Sequence, residues 1–138
     1  MTSTASPLAT LRTSTEGLID LAHAYGICIY WRPLSRGRRG LWDASTRSIW
    51  IDPRLSGRAT RSLLAHELGH AALGHIGPQP EFREREAWEW AARYLIHPCD
   101  YADAEAVHGP HRGALAEALD LSREVITAYR RTLERIAA

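Results

Sequence analysis

The sequence predicts an α+β fold in which helices contribute more residues than strands. Long stretches carry apolar residues at helical spacing, and one short region is rich in β-branched and aromatic residues. The length of 138 residues is typical of one domain and is enough to bury a core without crosslinks. We therefore expect a flexible N-terminus over residues 1–12 and a single domain over residues 13–138.

The first predicted element is a helix over residues 14–25. Thr13 and Glu16 have the spacing of a capping box, in which Thr13 is the N-cap and Glu16 reaches back to it. Gly26 follows the last apolar position and suits the left-handed conformation that often ends a helix.

A small sheet is expected next. Residues 27–31 are β-branched and aromatic, and Pro33 follows them. Residues 41–42 and 48–51 flank a polar connection, which is typical of a hairpin. The simplest arrangement is an antiparallel three-stranded meander.

The rest of the chain is predicted to be mainly helical. Two long helices are expected over residues 58–74 and 81–96. Proline and glycine residues indicate irregular structure over residues 98–113, with room for one turn of helix. A C-terminal helical pair is expected over residues 114–136, with an interruption at Asp120.

The strongest chemical signal is an HExxH motif on the first of the two long helices. His66 and His70 lie one turn apart on the same helix face, so that two imidazole nitrogens can bind one metal ion. Glu67 is rotated by about 100° from His66 and can reach a water bound to that ion. This arrangement is typical of a zinc peptidase in which Glu67 is the general base.

A catalytic zinc ion needs a third protein ligand, which the next helix can supply. Glu84, Glu86 and Glu89 all lie on it. Helical phase favours Glu84, because it shares a face with the small and apolar residues Ala87, Trp88, Ala91 and Leu95. Glu86 is the alternative ligand, and Glu89 is expected on a solvated charged face.

These two motifs resemble those of the ImmA/IrrE family of metallopeptidases. Members typically show HELGHxxLGH followed by ExxA[ND]x[FW]A, and the chain has HELGHAALGH at residues 66–75 and EREAWEWAARYLI at residues 84–96. The resemblance implies gluzincin-like binding of one zinc ion per chain by His66, His70 and Glu84. It also implies that the substrate is a helix-turn-helix repressor whose cleavage switches on phage, mobile-element or stress genes.

One position departs from the family pattern. The family usually has Asn or Asp four residues after the ligand glutamate, whereas this chain has Trp88. Such a polar side chain orients a histidine ligand in gluzincins, and an indole N–H can donate a hydrogen bond but not accept one. Weaker metal binding, or another acceptor, is therefore expected.

A peptidase also needs an oxyanion donor and a surface that aligns its substrate. Tyr94, His97 and His75 are the nearest candidates for the donor along the chain. The hairpin over residues 41–51 is the candidate edge on which an extended substrate would bind.

A second hypothesis concerns residues 115–135, which follow a helix-turn-helix rhythm. The chain would then be a DNA-binding or repressor-binding regulatory module with a structural or attenuated zinc site. Against this, 17 basic and 16 acidic residues give a formal net charge of +1, which argues against a dedicated nucleic-acid binder. The more economical interpretation is a helical pair that closes the core.

The sequence indicates a cytoplasmic protein without a membrane partner. It has no apolar run that could cross a bilayer and no signal-peptide pattern. Its two cysteines, Cys28 and Cys99, are expected to be reduced and mostly buried thiols.

Overall fold

The computed structural model describes residues 11–137. The elements in chain order are α1 (Thr15–Ala24), β1 (Cys28–Trp31), β2 (Gly40–Asp43), β3 (Ser48–Ile51), α2 (Gly57–Ala72), α3 (Glu81–Leu95), α4 (Pro98–His108), α5 (Arg112–Leu119) and α6 (Arg123–Ala137). The predicted α+β class is confirmed. Of the N-terminal segment expected to be flexible, residues 1–10 lie outside the described range, and residues 11 and 12 are helical.

The sheet is mixed, so the prediction of an antiparallel meander is wrong for the first strand. The strand order is β1–β3–β2, with β1 parallel and β2 antiparallel to β3. The central strand carries Ile49 and Ile51, which are fully buried, whereas most β1 side chains are exposed. The more apolar strand therefore occupies the centre, and β1 and β2 form the two edges.

Two expectations about the helices, one N-cap and one segment predicted to be irregular, are also corrected. Ser14, not Thr13, is the N-cap of α1, because its Oγ accepts the backbone N–H of Gly17 at 3.0 Å. Residues 98–113 are not irregular but contain all of α4 and the start of α5. Pro98 occupies the first turn of α4, where its missing N–H costs no hydrogen bond, and His97 caps that turn.

Helices α2 and α3 pack at very short range. An ideal Cβ placed on Gly69 of α2 would lie 2.7 Å from the backbone oxygen of Ala87 on α3. Ala87 and Ala91 are fully buried, so small residues on both helices permit this approach. The close contact fixes the position of every side chain that α3 presents to α2.

The C-terminal helices form the expected pair and close the core. Asp120 takes a left-handed conformation (φ 56°) between α5 and α6, and α6 packs against α3. Val125 and Ile126 of α6 are fully buried. No helix within residues 11–137 is both long enough and apolar enough to cross a membrane. Cys28 and Cys99 are unbonded and both exposed, so the expectation that they are buried is wrong.

Candidate metal centre

Helix α2 presents the three functional residues of the HExxH motif to one cleft. His66, Glu67 and His70 are each at most 5 % exposed. One potential ligand atom from each lies within 4.8 Å of the others. The imidazole rings of His66 and His70 are 4.6 Å apart between centroids, with an interplanar angle of 73°.

The carboxylate of Glu84 on α3 completes this arrangement. Its Oε2 lies 2.9 Å from His66 Nε2, and its Oε1 lies 3.2 Å from His70 Nε2. Ligand atoms around a tetrahedral zinc ion would be about 3.3 Å apart, given metal–ligand bonds of about 2.0–2.2 Å. The two nitrogens and the carboxylate therefore suit zinc in both chemistry and spacing. Glu86 lies elsewhere, with its Oε1 3.8 Å from His75 Nε2.

Burial and neighbouring groups shift the pKa values of three residues at this centre. Hydrogen bonds from His66 and His70 hold the pKa of Glu84 well below its usual range. Burial lowers the pKa of His66. Burial, and then the charge of Glu84, raise the pKa of Glu67 to about 8. A cation bound by the three candidate ligands would favour the ionised form of Glu67, because a nearby opposite charge stabilises a carboxylate.

Trp88 lies directly against one of the histidines. Its indole stacks on the His66 ring at a centroid distance of 4.0 Å. His66 Nδ1 is buried and has no hydrogen-bond partner among residues 11–137. The departure from the family pattern therefore replaces a hydrogen-bond acceptor with an aromatic contact.

His70 has a polar partner that the sequence did not assign. His75 Nδ1 lies 2.9 Å from His70 Nδ1, and both residues are buried. The Trp42 indole N–H donates to the backbone oxygen of His75 at 3.1 Å. His75 was a candidate oxyanion donor, but in the structure it contacts the Nδ1 side of His70. There it can orient the His70 ring.

The other two oxyanion candidates lie outside the cleft. Tyr94 stacks on Trp90 and lines a separate apolar pocket. His97 accepts the backbone N–H of Cys99 and caps α4. Neither side chain is brought to the HExxH motif.

The cleft over the motif has a volume of about 420 Å³ and is bordered by edge strand β2. Gly40 lies close to α2, since an ideal Cβ there would be 2.9 Å from Leu63 and 3.1 Å from Glu67 Oε2. The Glu67 carboxylate also accepts a hydrogen bond from the backbone of Trp42. Of the two strands in the hairpin that was expected to bind substrate, only β2 lies at an edge of the sheet, because β3 is central.

Sequence reasoning also missed three polar residues of the cleft wall. Arg38 and Arg39 precede β2, and Gln79 lies in the connection between α2 and α3. The signal in the sequence is the arginine-rich run over residues 36–39 before β2.

Glu89 is buried and forms ion pairs with α6. It is 2 % exposed, so the expectation that it lies on a solvated face is wrong. Its carboxylate pairs with Arg131 at 3.2 Å and also with Arg135, both on α6. Two arginines that a recognition helix would need are therefore engaged within the protein.

The comparison with protein families agrees with these observations. A peptidase family model described as the IrrE N-terminal-like domain matches residues 30–130, a range that contains both motifs and most of the chain. A comparison with curated proteins gave no match. The chain therefore belongs to the ImmA/IrrE family of metallopeptidases.

Proposed function

We propose that this protein is a zinc-dependent endopeptidase of narrow specificity. The observation that carries the proposal is the approach of one Glu84 carboxylate to both His66 Nε2 and His70 Nε2. Glu67 lies beside this group, on the same wall of an open cleft. Two imidazoles and one carboxylate are the ligand set of a catalytic rather than a purely structural zinc site. Glu67 lies next to these ligands, where a general base is needed.

The protein's own residues have distinct roles in this mechanism. His66, His70 and Glu84 hold the ion, which when bound would lower the pKa of a coordinated water towards about 7 and polarise the scissile carbonyl. Glu67 accepts a proton from the attacking water and returns it to the leaving amine. The backbone of Trp42 donates to the Glu67 carboxylate and thereby orients it.

The substrate is proposed to bind as an extended segment along β2. One side of β2 pairs with β3, so its other side can form backbone hydrogen bonds with a peptide. Because Gly40 and Trp42 lie next to Glu67, a segment on this edge would pass the general base. A helix-turn-helix repressor is the proposed substrate, on the basis of the family resemblance.

A first experiment tests the ligand set. The zinc content of wild-type protein, Glu84→Ala and Glu86→Ala is measured by mass spectrometry after removal of free metal. The proposal predicts one zinc per chain in the wild type and in Glu86→Ala, and substantial loss in Glu84→Ala. Equal retention by both variants would contradict the assignment of Glu84.

A second experiment tests the substrate. The zinc-loaded protein is incubated with a helix-turn-helix repressor encoded beside its gene, and the products are weighed by intact-mass spectrometry. Two fragments from one bond are expected, and a chelator should prevent their formation. An intact repressor that co-elutes with the protein would instead support the hypothesis of a regulatory binding module.

A further inference from the structure

We propose that the segment over residues 32–39, termed here the arginine loop, selects substrates with acidic side chains near the scissile bond. This inference rests on the proposed peptidase function and specifies its substrate class. The loop connects β1 to β2 and contains Arg32, Arg36, Arg38 and Arg39.

Within residues 11–137 no ion pair neutralises the positive charge of the arginine loop, although the charge of Arg38 also acts on the Glu67 carboxylate at the cleft. All four arginines are exposed. None of them forms an ion pair with a carboxylate of the described chain, whereas arginines elsewhere, such as Arg54 and Arg135, do. The chain as a whole has a formal net charge of only +1, so this cluster is a local excess.

The loop holds two of these arginines at the cleft. Residues 35–38 form a tight turn, with φ of 60° at Arg36 and 70° at Gly37, and the Arg38 N–H donates to Ser35 O at 3.3 Å. Positive φ at both central positions is typical of a type I′ turn. Beyond the turn, Arg39 O accepts the N–H of Asp52 at 2.8 Å, which extends the pairing of β2 with β3. Arg38 and Arg39 therefore occupy defined positions at the start of the edge strand.

The position of the loop relative to Glu67 indicates where acidic residues would be recognised. Gly40 and Trp42 approach Glu67, whereas Arg38 lies two residues before Gly40. At a rise of about 3.3 Å per residue, this separation corresponds to about 7 Å along a paired peptide. Acidic side chains are therefore expected about two or three residues from the scissile bond, at the end of the cleft nearest the loop.

An acidic peptide fits this surface better than nucleic acid does. The same cleft is bordered by edge strand β2, whose unpaired side can form backbone hydrogen bonds with an extended peptide but not the same pairing with nucleic acid. A peptide can place isolated carboxylates beside the arginines and neutral residues beside Glu67 and Glu84. Arginine also binds a carboxylate through two parallel hydrogen bonds.

The test compares matched peptides. Zinc-loaded protein is given a peptide library in which single positions carry Glu, Gln or Lys. Cleavage with Glu at the loop-proximal positions is expected to have a kcat/KM about 3–10 times that with Gln, the range for one or two partly exposed ion pairs. In Arg38→Gln/Arg39→Gln this preference should disappear. Arg123→Gln, which removes an exposed charge on α6, should retain it.

Recognition can also be measured without cleavage. A fluorescein-labelled peptide in which Glu alternates with apolar residues is titrated with zinc-loaded Glu67→Gln, and its affinity is compared with that of the Gln counterpart. Tighter binding of the acidic peptide, weakened by salt and by the double arginine substitution, supports the inference.

The possible failures are distinguishable. If the library is cleaved and Glu gives no advantage, the inference is overturned while the peptidase function stands. If neither the library nor the repressor is cleaved, the proposed function fails, and the binding measurement alone decides the inference. Tighter binding to duplex DNA than to the acidic peptide, lost in the double variant, would overturn the inference in favour of nucleic acid.

Discussion

The indole of Trp88 stacks on the imidazole of His66, with an interplanar angle of 21° and 4.0 Å between the ring centroids. This contact holds the plane of the imidazole but offers no acceptor, and His66 Nδ1 has no partner in the described part of the chain. Histidine ligands usually donate their second N–H to a carboxylate or carbonyl, which fixes the tautomer that can bind metal. On its Nδ1 side His66 is therefore held by packing alone, whereas His70 has His75 as a polar partner on that side.

Restoring an acceptor at residue 88 should strengthen metal binding. Trp88→Asp is expected to bind zinc about tenfold more tightly, because the carboxylate can accept the His66 Nδ1–H. Its melting temperature should fall, since a packed ring is lost. Competition with a chromogenic chelator measures the affinity. Trp88→Phe is the control, as it keeps a ring without an acceptor, and equal affinities for the two variants would contradict this explanation.

Gly69 controls the distance between the two helices of the metal centre. A methyl group in Gly69→Ala would collide with the Ala87 backbone and push α3, with Glu84, away from α2. We expect a loss of about 1–3 kcal/mol in the free energy of unfolding, from overpacking, together with weaker zinc binding.

Gly57→Ala is the matched control for this substitution. Gly57 begins the same helix, and an ideal Cβ there has no other atom within 4 Å. Chemical denaturation should show unchanged or slightly increased stability for this variant. A Gly69→Ala protein as stable as Gly57→Ala, with unaltered zinc binding, would mean that the close approach of α2 and α3 is unimportant.

His75 should act on metal binding through His70. His75→Ala removes the Nδ1 partner of His70 and is expected to weaken zinc binding about tenfold. His75→Gln offers an amide oxygen in its place and should recover part of the affinity. Melting temperatures of the metal-free proteins separate this effect from general destabilisation. The prediction fails if alanine and glutamine have the same zinc affinity.

Glu89 should make stability depend on pH. Although burial raises the pKa of Glu89, hydrogen bonds from Arg135 and Arg131 outweigh it and lower the pKa overall. A lowered folded-state pKa contributes stability that is present above the unfolded pKa of about 4.3 and is lost as pH falls through the folded value. Glu89→Gln should therefore cost about 1–2 kcal/mol at neutral pH.

Unfolding of the wild type and of Glu89→Gln, measured across pH, tests whether the contribution of Glu89 to stability is lost at low pH. The difference in unfolding free energy should shrink as the pH falls below about 4, where the wild-type carboxylate also becomes neutral. A difference that stays constant over this range would show that the ion pairs with α6 do not stabilise the fold.

The relative positions of the candidate site residues were predictable from the sequence because they depend on helical periodicity. Spacing alone placed His66, Glu67 and His70 in one cleft, and helical phase distinguished Glu84 from Glu86. The contact of His75 with His70 was not predictable in this way, because the chain turns back after α2 to bring the two side chains together.

Long-range pairing explains two of the errors. β1 pairs with β3 in parallel because β3 is the central, buried strand of the sheet. The spacing of a hairpin along the sequence does not indicate which of its strands is central. Glu89 appeared solvated because nothing in α3 itself indicates that arginines of α6 cover it. Both errors concern contacts between residues far apart in the sequence.

The most direct test of the peptidase mechanism is the substitution Glu67→Gln, which keeps the size of the side chain but removes its ability to accept a proton. Zinc content and cleavage of the repressor are measured on the same preparation, next to the wild type. The proposed mechanism predicts one zinc per chain in both proteins and loss of cleavage in Glu67→Gln alone. Cleavage by the zinc-loaded variant at the wild-type rate would contradict the role of Glu67 as the general base.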